Sequence, residues 1–77
     1  MNKSNKNESF SKFGKRFQEN ICQIMLEDRP FFDQIIEVLD INFFEIKYLQ
    51  IFAQTLINYR NKYNQHPNTE LMMTLLR

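Results

Sequence analysis

The side chains able to serve as nucleophile, base or metal ligand are few in this 77-residue chain: one histidine (His66), one cysteine (Cys22) and three serines (Ser4, Ser9, Ser11). A Ser–His or Cys–His pair is a spatial arrangement, so spacing alone does not forbid one. The serines, however, lie in a polar leader far in sequence from His66. Cys22 falls within an apolar helical stripe and reads as a small buried hydrophobe. His66 stands beside Pro67 in a polar loop, where solvent exposure is the simple expectation. The two do not make a structural zinc site, which usually takes four Cys or His ligands at short spacings. Asp28, Asp33, Glu37 and Asp40 are acidic enough for a cation, but their spacing fits a helix cap and a solvated face. The single glycine, Gly14, excludes a glycine-rich phosphate loop. The expectation is a chain with no catalytic residue, no cofactor and no metal.

Charge is unevenly spread. Residues 1–16 carry Lys3, Lys6, Lys12, Lys15 and Arg16 against Glu8, a net +4, while residues 17–77 sum to −3. The acidic body offers no broad footprint for a phosphate backbone, so nucleic acid is expected to be touched at most weakly, through residues 1–16. No apolar run approaches the roughly 18 residues of a membrane span, and the leader lacks the apolar stretch of a secretory signal. Cys22 has no partner for an internal disulfide, which makes a reducing cytoplasm the default expectation.

The elements that must position these residues are helical. Residues 1–9 have too little apolar surface to offset the entropy of ordering and are expected to be a disordered basic tail. From residue 10 onward, Phe10, Phe13, Phe17, Ile21 and Ile24 recur at helical spacing, with Cys22, Met25 and Leu26 widening the face. Gly14 is expected to weaken the start of this helix. Pro30 suits the first turn of a second helix, with Asp28 as its cap. Phe32, Ile35, Ile36 and Leu39 form its stripe. Asn42 followed by Glu45 resembles a capping box, which predicts a third helix from Asn42 to Tyr63, about 30 Å long. After a loop over residues 64–68, Asn68 or Thr69 caps a last helix holding Leu71, Met72, Leu75 and Leu76. This helix reaches Arg77 without a stop signal, so it is expected either to be cut there or to pack onto something outside this chain. The fold class is therefore all-α: a small orthogonal bundle of about four helices over residues 10–77.

Aromatic content is the distinctive chemistry, with eight Phe and three Tyr. At helical spacing these rings read first as core. Ile21, Ile24, Met25, Phe32, Ile35, Ile36, Leu39, Phe44, Leu49, Phe52, Leu56 and Leu71 are the expected interior. A bundle this small has limited room, so some large apolar side chains are expected to stay outside and anchor protein contacts. The candidates are Phe31, Phe43, Tyr59, Tyr63, Met72 and Leu76.

From Phe17 to Leu76 the pattern resembles the N-terminal domain of DnaB-type hexameric replicative helicases, phage members in particular. The residues that carry the resemblance are Ile21-Cys22-Gln23-Ile24-Met25-Leu26-Glu27-Asp28 and the short helix from Phe32 to Leu39. To these are added Asp40-Ile41-Asn42-Phe43-Phe44, then Tyr48 and Ile51-Phe52, and the turn from Tyr63 to Thr69. The family's Leu-Gly pair in the first helix would fall near Cys22-Gln23, and the ATPase domain lies outside these residues. The resemblance implies a non-catalytic interaction or oligomerisation domain, the head of a collar. Its partners would be itself, neighbouring helicase subunits, a primase or a helicase loader; a full-length parent would be an ATP-dependent DNA helicase. Two alternatives stand beside it: a small phage DNA-binding or regulatory protein using the basic N-terminus, and a stand-alone mimic of the helicase domain.

Overall fold

Short polar side chains set the breaks between helices. The computed structural model describes residues 10–77, so the expected tail over residues 1–9 lies outside the described residues. A 3-10 turn, Ser11–Phe13, leads into α1, Gly14–Glu27. Gly14 joins them at a φ of +88°, a conformation that side-chain-bearing L residues rarely adopt. Its role is a joint rather than a weak spot inside the helix. Asp28 ends α1 and begins α2, Arg29–Ile35. Its backbone N–H donates to the Ile24 carbonyl at 2.8 Å, and its carboxylate accepts from Phe31 N at 3.1 Å. Pro30 sits in the first turn, where no intrahelical donor is needed.

The third break differs from the sequence expectation. Asp40, not Asn42, is the cap: its carboxylate accepts from Asn42 N at 2.9 Å and starts a second 3-10 turn, Ile41–Phe43. The chain then runs extended through Phe44 and Ile46, and α3 spans Lys47–Tyr63. The extended stretch lets Phe44 drop fully into the core and presents Glu45 N to the Gln18 side-chain oxygen at 2.9 Å. Burying a phenylalanine is worth about 1.5–3 kcal/mol, which outweighs a capping box. Asn64 closes α3 in the left-handed region, at a φ of 54°. Asn68 caps α4, Thr69–Leu75, accepting from Leu71 N at 2.8 Å.

Four α-helices and two 3-10 turns, with no strand among the described residues, form a small all-α bundle. α1 packs on α2 and α3, and α4 packs on α3. The core is Cys22, Met25, Phe32, Phe44, Leu49, Ala53, Leu56 and Met72, with Gln18 beside them. Ile21, Ile35, Ile36, Leu39 and Phe52 are half-buried against that core, and Leu71 is half-buried on α4.

Two assignments are corrected. Ile24, expected inside, is 41% exposed, and Met72, expected at an interface, is 1% exposed. The first has a geometric cause. The centre of burial on α1 runs through Gln18, Cys22 and Met25, rotated about 100° from the Phe17-Ile21-Ile24 line. Small and flexible side chains at that centre let α1 approach α3 closely: the Cys22 thiol lies 3.9 Å from the Leu49 carbonyl, and Ala53 is fully buried. Met72 faces inward and belongs to the same buried cluster as Leu49, Ala53 and Leu56 of α3.

Candidate functional site

α1, α3 and α4 meet around an apolar groove of about 540 Å³. Its apolar lining runs from buried Cys22 and Leu49 through half-buried Leu26 and Phe52 to exposed Ile51 and Leu76. Glu19, Gln23 and Glu27 occupy successive turns of α1 and make one edge, which is acidic. Their spacing of four places all three on one side of a helix. Tyr48 closes one end, its hydroxyl donating to the Glu19 carboxylate at 2.8 Å. That hydrogen bond, more than any burial, raises the Tyr48 phenol above its ordinary range. Gln23 donates to Glu27 at 3.0 Å, which fixes the other carboxylate.

The groove stays open because the apolar arc of α3 is wider than the surface that α1 and α4 cover. Leu49, Ala53 and Leu56 face the core, at positions i, i+4 and i+7. Tyr48, Phe52, Tyr59 and Tyr63 continue the apolar surface round one shoulder, with Ile51 and Thr55 beyond them. Tyr48 is 53% exposed, Ile51 49% and Leu76 40%. Beyond the groove a second, smaller depression of about 210 Å³ is lined by Thr55, Asn58, Tyr59, Lys62, Tyr63 and Leu75, with the two tyrosine rings 4.6 Å apart.

The six interface candidates therefore divide. Tyr59, Tyr63 and Leu76 lie on the α3–α4 shoulder. Phe31 is half-buried against the core, and Phe43 is half-buried with its ring edge-on to Phe10. Met72 is internal. Tyr48, Ile51 and Leu75 were missed as surface anchors, although Tyr48 sits one helical turn before Ile51-Phe52 in the sequence. The exposure of residue 51 was legible only as a position at the edge of a wide apolar arc.

Cys22, His66 and three of the aspartates each have a definite setting. Burial, reinforced by the nearby Glu19 charge, pushes the Cys22 thiol from an ordinary 9.0 up to about 12, so it is neutral and a poor nucleophile at physiological pH. His66, expected in solvent, is a correction: it is half-buried, with Nε2 2.7 Å from the Leu26 carbonyl and its ring 5.2 Å from Phe32. A carbonyl only accepts, so Nε2 carries the proton, and buried Nδ1 has no hydrogen-bond partner. Asp28 and Asp40 are caps, and Asp33 pairs with Arg60 at 2.9 Å and Arg29 at 3.7 Å. Among the described residues no three His, Cys, Asp or Glu side chains gather to hold a metal ion. No helix among them is long and apolar enough to cross a membrane. No family model, no curated protein and no solved structure matches the chain.

Proposed function

We propose that this chain is a non-catalytic helical domain that works by protein–protein contact, with self-association through the α3–α4 shoulder. The observation that carries the reading is the surplus apolar surface of that shoulder. Tyr63, Leu75 and Leu76 are at least two-fifths exposed, on two adjacent helices whose other faces already fill the core. Contiguous exposed apolar surface on a small domain marks a contact site more often than chance exposure. The finer reading is the collar-forming head of a phage-type replicative helicase, with a primase or loader as further partner. What supports it is the sequence pattern from Phe17 to Leu76.

Light scattering over rising concentration tests self-association. The expected result is a mass that climbs toward a dimer or larger assembly by high micromolar concentration, and Tyr63→Asp with Leu75→Asp returns it to a monomer. A strict monomer throughout overturns the collar role. The helicase reading is tested by the gene: a glycine-rich phosphate loop encoded downstream in the same frame supports it, and a frame that stops after Arg77 removes the ATPase parent.

A further inference from the structure

The groove between α1, α3 and α4 is distinct from the depression around Tyr59 and Tyr63, and its charge is one-sided. Among the described residues, the only charged ones that line it are Glu19 and Glu27, with no Lys, Arg or His. The two carboxylates are eight residues apart on α1, about 12 Å, or a little over two helical turns. Each is held in place, Glu19 by the Tyr48 hydroxyl and Glu27 by Gln23. Both carboxylates come from α1, whereas the lining from α3 and from the segment Thr69 to Leu76 is uncharged: Tyr48, Leu49, Ile51, Phe52, Thr69 and Leu76. A volume of about 540 Å³ exceeds one side chain and suits the three that a helix presents at i, i+4 and i+7.

We propose that this groove binds one amphipathic helix of a different protein, with an apolar stripe against Leu26, Leu49 and Phe52 and Lys or Arg along the flank that meets Glu19 and Glu27. The argument is complementarity. An apolar stripe alone fits the floor in either direction, whereas a line of carboxylates on one edge favours cations there and penalises an acidic helix in the same seat. The inference rests on the protein-contact reading above and adds the chemical class of the partner and the place where it sits.

The test uses two synthetic peptides of roughly four helical turns with the same leucine stripe, one on an alanine–lysine background and one on alanine–glutamate. Each is titrated into the isotope-labelled full chain, followed by amide chemical shifts. The expected result is that the lysine peptide moves amides of Cys22, Gln23, Leu26 and Leu49 and binds at least about tenfold more tightly than the glutamate peptide at low salt. Glu19→Lys with Glu27→Lys is expected to reverse that order. Equal binding of the two peptides in the groove overturns the inference and leaves the protein-contact reading intact. Shifts centred on Tyr59 and Tyr63, or a charge-reversed chain that still prefers lysine, overturn it too. If the groove amides instead move on raising the concentration of the chain alone, a second copy is the occupant and the commitment to a different protein falls.

Discussion

The chain has two aromatic clusters, and they have opposite fates. Around Phe44, the Phe10 ring packs edge-on to three others, at 5.6 Å from Phe17, 5.4 Å from Phe43 and 5.2 Å from Phe44. Polar bonds lock the same region: Phe10 N donates to the Phe43 carbonyl at 2.9 Å, and Gln18 accepts from Glu45 N. At the far end of α3, Tyr59 and Tyr63 touch each other, and Tyr63 is mostly in solvent. Similar side chains thus act as staple in one place and as open surface in the other. Closure by chain segments distant in sequence, rather than aromatic content, separates interior from interface.

The largest expected effect on this contrast comes from Phe44→Ala. Removing a fully buried ring costs about 3–5 kcal/mol, a large share of the 5–15 kcal/mol typical of a whole domain. Tyr63→Ala at the open cluster is expected to change stability by no more than about 0.5 kcal/mol. Thermal melts followed by circular dichroism compare the two, and equal losses would break the distinction. Gln18→Leu is next, with about 1–3 kcal/mol lost by leaving Glu45 N without its acceptor. A neutral outcome in urea unfolding would show that packing alone closes the first cluster.

Another effect is confined to alkaline pH. The folded chain keeps the Cys22 proton up to about 12, while the unfolded chain releases it from 9.0. Stability from this group is therefore complete below pH 9 and declines as the pH rises toward 12. Cys22→Ala is expected to flatten that decline in denaturant midpoints measured across the range. Tyr48, raised by its bond to Glu19, acts in the same sense, so part of the slope persists. The smallest effect on stability is expected from Ile51→Asp, within about 0.5 kcal/mol. A substantial fall in its melting temperature would mean that this side of α3 is already closed.

Local chemistry made the breaks legible in the sequence. Pro30, Asp28, the loop over residues 64–68 and the Asn68 cap are decided by a few neighbouring residues, and the structure places them where the residue types indicate. What was not legible depended on partners far along the chain. The start of α3 moved from Asn42 to Lys47 because Phe44 finds the core and Glu45 finds Gln18, 27 residues away. The face of α1 turned because Cys22 meets the α3 backbone. The site followed the same rule. An apolar arc on α3 could be read from spacing, but which part of it α4 covers could not, and so Ile51 was overlooked and Met72 misplaced.

The bond from His66 to the Leu26 carbonyl joins residues 40 apart and satisfies an acceptor in the last turn of α1. Closing a loop of this length is entropically costly, so the clasp is expected to form late in folding. His66→Ala is accordingly expected to leave the refolding rate nearly unchanged and to accelerate unfolding, as stopped-flow kinetics would register. On that expectation the histidine is a latch on the lifetime of the folded state, tying the turn before α4 to the end of α1 beside Leu26 of the groove.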